Sequence, residues 1–69
     1  MAEHVYKKLE LVGSSTTSID NAIKAAVQKS GESVKHMRWF EVQQIRGEIE
    51  NGEVAHFQVT VKVGFTIED

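Results

Sequence analysis

The spacing of apolar residues along the chain changes between two periods, and this predicts three strands and one helix. Apolar residues recur mostly at every second position over three segments, His4 to Gly13, Met37 to Ile49 and Val54 to Ile67, which is the period of β-strands. From about Ser18 to Ser30 they recur three and four positions apart, which is typical of an amphipathic helix. The predicted order is therefore β-α-β-β, in the α+β class.

The predicted helix carries signals at both ends. Thr17 or Ser18 can cap its N-terminus, and Thr17 with Asp20 resembles a capping box in which Asp replaces the usual Glu. Gly31 suits a C-terminal residue in the left-handed region. Gly13, followed by four hydroxyl residues, predicts the end of the first strand. The apolar stripe of the helix consists of Ile19, Ala22, Ile23, Ala26 and Val27.

Asn51-Gly52 lies between the two long strand-like segments and predicts a tight hairpin. A two-residue loop fixes the register of the two strands unless a bulge intervenes. That register places Trp39 opposite Gly64, which leaves room over the indole, and places Ile45 opposite Gln58. The other predicted pairs are Phe40 with Val63, Glu41 with Lys62, Val42 with Val61, Gln43 with Thr60 and Glu50 with Glu53.

The last strand is the most apolar, so we expect it at the centre of a three-stranded antiparallel sheet wrapped around the helix. The helix should cover the sheet face that carries Phe40 and Val42, together with alternate residues of the last strand. The opposite face should then carry Trp39, Ile45 and Gln58 among charged groups. A sheet with two edges and one bare face needs partners.

Length and composition also favour an assembly. The chain has 69 residues, so residues 1–69 are expected to form a single domain, and a domain this small buries only about 60% of its unfolded surface. Cysteine is absent, which excludes disulfides and thiol chemistry. The three histidines lack the spacing of metal ligands. Oligomerisation is therefore the expected source of additional stability.

Several functional classes are disfavoured by the sequence. The net charge of −2 and the lack of a basic aromatic surface argue against nucleic-acid binding. There is no apolar run of membrane-spanning length and no signal-peptide core, so a soluble cytoplasmic protein is expected. No Ser-His-Asp or Cys-His set with plausible order is found, and no glycine-rich phosphate loop. Catalysis is not indicated.

Five side chains are candidates for ligand binding, and each has a plainer alternative. Trp39 can pack in a subunit interface, where aromatic residues are enriched, or can serve as a stacking platform for a flat ring. Gln58 is either solvated or reads a heterocycle edge with its donor and acceptor atoms. Arg46 forms a surface salt bridge or contacts a phosphate or ring. The same ambiguity holds for Lys7 and Arg38.

Several segments, taken together and in this order, resemble the dodecin family of small flavin-binding proteins. The resemblance runs nearly from end to end, and no single segment would be specific. The segments are Val5-Tyr6-Lys7, Glu10-Leu11-Val12-Gly13-Ser14-Ser15, Trp39-Phe40-Glu41-Val42, Ile45-Arg46-Gly47 and His56-Phe57-Gln58-Val59-Thr60-Val61-Lys62-Val63-Gly64-Phe65.

The resemblance implies a dodecin-like β-α-β-β fold and a hollow homododecamer of cubic symmetry. It implies that flavins bind in pairs at two-fold interfaces, each stacked on the tryptophan of one subunit. Bacterial members similar to this sequence favour FMN over riboflavin, and FAD is a further alternative. The implied role is flavin storage, buffering and suppression of flavin photochemistry, without turnover.

The resemblance also assigns roles to individual residues. Trp39 matches the stacking tryptophan, and Gln58 matches the glutamine that hydrogen-bonds the pyrimidine part of the isoalloxazine. Arg46 matches an arginine that contacts the flavin. Lys7 and Arg38 lie at positions that reach toward the FMN tail or phosphate.

Three alternatives stay open at this point. Some relatives also bind coenzyme A, but Thr66 replaces an arginine found in a relative that does so. An oligomeric scaffold without a flavin is the main alternative, and it predicts a colourless protein. A flavin-dependent redox enzyme would need an open flavin face for its substrate.

Overall fold

The computed structural model describes residues 3–67 and has the predicted β-α-β-β order. Strand β1 is Tyr6–Ser15, helix α1 is Ile19–Ser30, strand β2 is Met37–Glu50 and strand β3 is Glu53–Thr66. The strands form one sheet in the order β1-β3-β2, and both neighbouring pairs are antiparallel. The apolar strand β3 is central, as predicted.

The core lies between α1 and the two strands β1 and β3. Ala22 and Ala26 of the helix are buried against Val59 and Val61 of β3, and these valines have no solvent-exposed surface. The alanines leave space for the helix to approach the sheet closely, and burial of each valine contributes about 1.5 kcal/mol or more. The surrounding residues of this core are Leu11, Ile19 and Ile23.

Gly13 does not end β1, contrary to the prediction. It lies where the helix crosses the strand, and its missing side chain lets the helix backbone approach closely. The strand continues to Ser15, and Gly13 is buried opposite Val59. A Cβ atom at this position would overlap the backbone carbonyl of Ala22. The turn into the helix comes later, where the Ser15 hydroxyl accepts hydrogen bonds from the backbone N–H groups of Thr17 and Ser18.

The helix covers the predicted residues, but its caps differ in part from the prediction. Ser18 is the N-cap, and its hydroxyl accepts a hydrogen bond from the Asn21 N–H at 3.0 Å, so the predicted Thr17–Asp20 capping box is wrong. Gly31 has φ −64° and ψ −17°, the right-handed helical region, so the predicted left-handed cap is also wrong. The chain continues through one further turn, and His36 is the residue with positive φ, at 64°.

The helix does not cover β2, although the sequence predicted that it would. It packs mainly against β1 and β3, and Phe40 and Val42 of β2 are 49% and 41% exposed. An apolar groove therefore remains between α1 and β2, lined by Ile23, Val27 and Phe40. The sheet is wider than one helix can cover, so apolar surface stays open on both faces.

The hairpin loop has the predicted geometry. Asn51 and Gly52 both have positive φ, 52° and 77°, which is the signature of a type I′ turn, and Glu50 pairs with Glu53. The long hairpin makes the subunit elongated, with principal dimensions of 55 × 20 × 13 Å. The radius of gyration is 14.4 Å, against about 11 Å for a compact chain of this length.

Two compensating β-bulges change the register in the middle of the hairpin. Near the loop β3 carries one extra residue, Ala55, and further along β2 carries one extra residue, Gln43. Between these bulges every pair is displaced by one residue, and the predicted register holds on either side of them, over Trp39–Val42 and Ile49–Glu50. The displaced pairs include Ile45 with Val59, Gln44 with Thr60 and Arg46 with Gln58.

The bulges therefore decide which side chains share a face. The predicted pairs of Ile45 with Gln58 and of Gln43 with Thr60 are wrong. Ile45 joins the helix side of the sheet, opposite Val59, and does not share a face with Trp39. The predicted pairs from Trp39 to Val42 are confirmed.

Candidate functional site

Trp39 lies on the sheet face that points away from α1, with its indole over Gly64. The two residues are cross-strand partners, and a Cβ atom on Gly64 would overlap several atoms of the indole ring. The missing side chain lets the ring rest directly on the backbone of the central strand. Trp39 is 38% exposed, so the ring keeps surface available on the side away from the sheet.

The edge of the indole is supported by Tyr6 of β1. The two ring centroids are 5.2 Å apart and the ring planes meet at 72°, an edge-to-face arrangement. Such pairs contribute about 0.5–1.5 kcal/mol beyond the burial of their surface. Tyr6 therefore restrains the indole from the far strand of the sheet, across β3.

Glu41 connects the indole to Lys8. The indole Nε1 donates a hydrogen bond to Glu41 Oε2 at 2.9 Å, and Lys8 Nζ lies 3.1 Å from the same oxygen. Glu41 is opposite Lys62 in the register, as predicted, but its ion pair is with Lys8. This pairing spans three strands because Gly64 lies between Lys8 and Trp39 and contributes no side chain.

The indole N–H lowers the pKa of Glu41 below its ordinary value of 4.5, and the Lys8 ammonium lowers it further. Because the pKa of Glu41 is lower in the folded protein, the ionised carboxylate stabilises the folded arrangement at pH values above 4.5. This stabilisation is lost as the pH falls through the lowered pKa. We expect the near-UV circular dichroism of the protein without added ligand to stay constant from neutral pH to 4.5 and to change only below it.

The matched control for this titration is Glu10, an exposed acid on the same sheet face. Glu41→Gln should abolish the acidic change in the Trp39 signal, and Glu10→Gln should retain it. A change that begins above the ordinary glutamate range, or that survives in Glu41→Gln, would contradict the assignment.

A second group of polar side chains lies further along the same face. Arg46 and Gln58 are cross-strand partners, and the next pair toward the loop, Glu48 and His56, is joined by a contact of 3.3 Å between His56 Nδ1 and Glu48 Oε1. In the register expected without bulges, Arg46 would lie on the helix side of the sheet. The extra residue Gln43 moves Arg46 to the other face, the one that carries Trp39.

The two groups are far apart within one chain. Trp39 pairs with Gly64, and Gln58 is six positions away from Gly64 on β3, which corresponds to about 20 Å of extended strand. One subunit therefore presents the aromatic surface and the polar pair at two separate places on a single face.

The remaining predicted site residues lie at different positions around Trp39. Arg38 is the extra residue of a third irregularity in β2, and its Nε donates a hydrogen bond to Thr66 Oγ1 at 3.0 Å. Lys7 pairs with Phe65 and so lies on the opposite sheet face from Trp39. Roles for Arg38 and Lys7 in ligand binding stay predictions.

Sequence reasoning did not identify Tyr6 and Lys8 as partners of Trp39. The sequence places Tyr6 and Lys8 on one face of β1, because they are two positions apart. It does not give the register of β1 against β3, since the two strands are not joined by a short loop. The useful signal was Gly64, whose lack of a side chain allows residues of both neighbouring strands to meet over it.

Residues 3–67 contain neither a candidate metal-binding cluster nor a membrane-spanning helix. No group of three or more His, Cys, Asp or Glu side chains in this range could hold a metal ion. No helix in the same range is long and apolar enough to cross a membrane.

Comparison with known proteins gives one consistent family. The family model described as Dodecin matches residues 5–68. A curated Dodecin of Thermus thermophilus is 45% identical over 65 residues, which cover 94% of each protein. The structure of dodecin from Streptomyces coelicolor matches with a TM-score of 0.94 and 43% identity, over 100% of this chain and 99% of that one.

A further solved structure is a variant of the T. thermophilus dodecin in which a tryptophan is replaced by phenylalanine. It matches with a TM-score of 0.92 and 42% identity, over 97% of this chain and 100% of that one. The similarity thus includes all four elements of secondary structure and confirms the resemblance seen in the sequence.

Proposed function

The chain belongs to the dodecin family of small flavin-binding proteins, and from this premise we propose that it stores and buffers FMN and limits the photochemistry of the bound flavin. The observation that carries the proposal is the indole of Trp39. It is supported from below by Gly64 and at its edge by Tyr6, and it keeps exposed surface. Riboflavin and FAD share the ring that this surface would bind.

Stacking accounts for the binding of the flavin ring. A flat aromatic ring placed on a restrained indole gains dispersion and quadrupole interactions, which are worth about 0.5–1.5 kcal/mol beyond burial. Because the indole is already held in place, little side-chain entropy is lost when the ring binds. Two flavins stacked between two such indoles would increase the contact area further.

The polar end of the site must come from a second copy of the chain. The Gln58 amide offers donors and an acceptor to the pyrimidine edge of the flavin, and Arg46 beside it offers a planar cation. Within one subunit both lie about 20 Å along the strand from Trp39. A two-fold axis perpendicular to the long axis of the subunit would place each end of one subunit against the opposite end of its partner, and this arrangement would bring Gln58 and Arg46 of a second copy to the ring on Trp39.

The open apolar surface supports a homo-oligomer, and we propose that it is a dodecamer in the cytoplasm. Isolated subunits would expose large side chains that soluble monomers usually cover. Further copies of the chain can cover them without another type of partner. These side chains include Phe40, Val42, Ile45, Ile49 and Val54, each at least 41% exposed.

The role proposed for the tryptophan is protective. A stacked indole is electron-rich and can donate an electron to an excited flavin, which quenches emission, and return of the electron then restores both groups. A ring enclosed between an indole and a second flavin has no free face for a substrate. We therefore propose binding without turnover.

Arg38 and Lys7 are proposed contacts for the FMN tail. Arg38 is adjacent to Trp39 and already interacts with Thr66, whereas Lys7 lies on the edge strand β1 and on the opposite sheet face, so it would contact a ligand held by a neighbouring subunit. Coenzyme A stays a proposed second ligand, with Thr66 in place of the arginine expected for it.

A fluorescence titration of FMN with flavin-stripped protein tests the proposal. We expect strong quenching of flavin emission that saturates at about one flavin per chain, because an isologous interface contains two equivalent sites for two chains. Size-exclusion chromatography with light scattering should show the assembly before and after loading. An intact assembly that leaves FMN emission unchanged would contradict flavin storage and favour a scaffold without a cofactor.

A further inference from the structure

All three strands contribute to the position of Trp39, and two of the contributing residues carry opposite charges. Lys8 of β1 and Trp39 of β2 are both cross-strand partners of Gly64 on β3. Glu41, two positions after Trp39, accepts hydrogen bonds from Trp39 Nε1 at 2.9 Å and from Lys8 Nζ at 3.1 Å, both on Oε2. The charged pair therefore bridges over the central strand and ends on the indole N–H.

Contacts with Gly64 and Tyr6 do not by themselves define the orientation of the ring. An indole lying on a flat backbone can turn over and present its N–H at the opposite edge while it still covers the same surface. The hydrogen bond from Nε1 to Glu41 distinguishes the two orientations, because only one of them points the N–H at the carboxylate. Glu41 thus selects the ring orientation that a ligand meets.

Lys8 fixes the carboxylate in turn. Glu41 has one further side-chain partner, Gln43 Nε2, at 3.5 Å from Oε1, which is too long to hold it firmly. The Lys8 ammonium approaches both carboxylate oxygens, at 3.1 and 3.4 Å. The side chains of Lys8 and Glu41 are 43% and 38% exposed, so the pair adds little to the stability of the fold. Its specific effect is geometric.

We propose that Lys8 and Glu41 are positioning residues for the stacking surface, holding the Trp39 indole in a single orientation before a flavin arrives. The proposal rests on the proposed function, and it adds a pair of residues that acts through Trp39. A ring that is ordered in advance spares the entropy of ordering it on binding. Loss of the pair should therefore weaken flavin binding while the quenching of bound flavin is retained.

The first test uses the flavin-free protein and its single tryptophan. The indole N–H gives one resonance in a proton–nitrogen correlation spectrum, and its exchange with solvent reports the hydrogen bond to Glu41. Glu41→Leu removes the acceptor and should accelerate exchange. Lys8→Met should do so to a smaller extent, and Glu41→Gln, which keeps an acceptor oxygen, should lie between wild type and Glu41→Leu. The matched control Glu10→Leu should leave the resonance unchanged.

The second test measures FMN binding by the same variants after size-exclusion chromatography has confirmed their assembly. We expect Glu41→Leu and Lys8→Met to weaken FMN binding by about three- to tenfold, the range for one additional side chain that must be ordered on binding. Emission at saturation should match the wild type. The double variant should lose little more than Glu41→Leu alone, because both residues act through one hydrogen bond.

The outcomes separate this inference from the proposed function. If Glu41→Leu binds FMN as tightly as the wild type does, the positioning role is overturned and flavin storage stays supported. A protein that binds no FMN, but whose indole exchange depends on Glu41 and Lys8, would overturn flavin storage and support the positioning of Trp39. Equal exchange in wild type and Glu41→Leu would overturn the positioning role directly.

Discussion

Replacing Trp39 with alanine is expected to weaken FMN binding by about 5- to 150-fold, since removal of one aromatic stacking partner costs about 1–3 kcal/mol. The loss should be accompanied by a loss of flavin quenching, because no other described side chain on this face offers an indole. The assembly should persist, because the exposed apolar side chains proposed to form it, such as Phe40, Val42 and Ile45, are unchanged in this variant. Flavin titration and light scattering measure the two properties separately.

Trp39→Phe and Tyr6→Phe serve as controls. Phenylalanine at position 39 keeps a flat ring but lacks the electron-rich indole, so it should retain part of the affinity and lose most of the quenching. Tyr6→Phe keeps the edge-to-face contact and should resemble the wild type in both. Unchanged affinity and quenching in Trp39→Ala would refute the stacking surface.

Mixed assemblies should recover flavin sites that neither parent variant has, if each site combines two subunits. The first parent carries Trp39→Ala, and the second carries Arg46→Ala together with Gln58→Ala. Each is expected to bind FMN poorly by itself. When the two are co-expressed, random association at an isologous interface gives an intact combination at about a quarter of the sites. Tight FMN binding at that level, measured by quenching, is the expected result.

This recovery depends on the separation of the two groups on one chain. A site made within a single subunit would be defective in every chain of the mixture, so no tight binding would return. The control is a mixture of wild-type protein with a chain that carries all three substitutions, in which intact sites occur only between wild-type subunits. Mixed assemblies with no tight sites would refute the two-subunit arrangement.

The element order and the hairpin could be predicted from the sequence because their signals are local. The Asn51-Gly52 loop fixes the strand ends, and the helical stripe separates cleanly from the strand alternation. The bulges at Gln43 and Ala55 could not be predicted, since neither residue type signals a bulge. The two bulges shift the register in opposite directions, so the pairing of Trp39 was predicted correctly although the pairing of Ile45 was not.

The candidate site was predicted in part. Trp39 and Gly64 could be paired from the hairpin alone, and the space over the indole followed from the missing side chain. The contribution of β1 could not be deduced, because its register depends on tertiary packing between Gly13 and the helix backbone. Lys62 was therefore expected to be the partner of Glu41, although Lys8 forms the ion pair.

The irregularities of β2 also have a consequence for aggregation. β2 is an edge strand of the sheet, so it presents a row of unpaired backbone groups. A long regular edge would serve as a template for further strands. The extra residues Arg38 and Gln43 interrupt that row, since a bulge bends the strand and disturbs the spacing of its hydrogen-bonding groups. A second chain can then pair along β2 for only a few residues at a time. Growth of an open fibre is disfavoured, and closed assemblies formed through side-chain contacts are favoured.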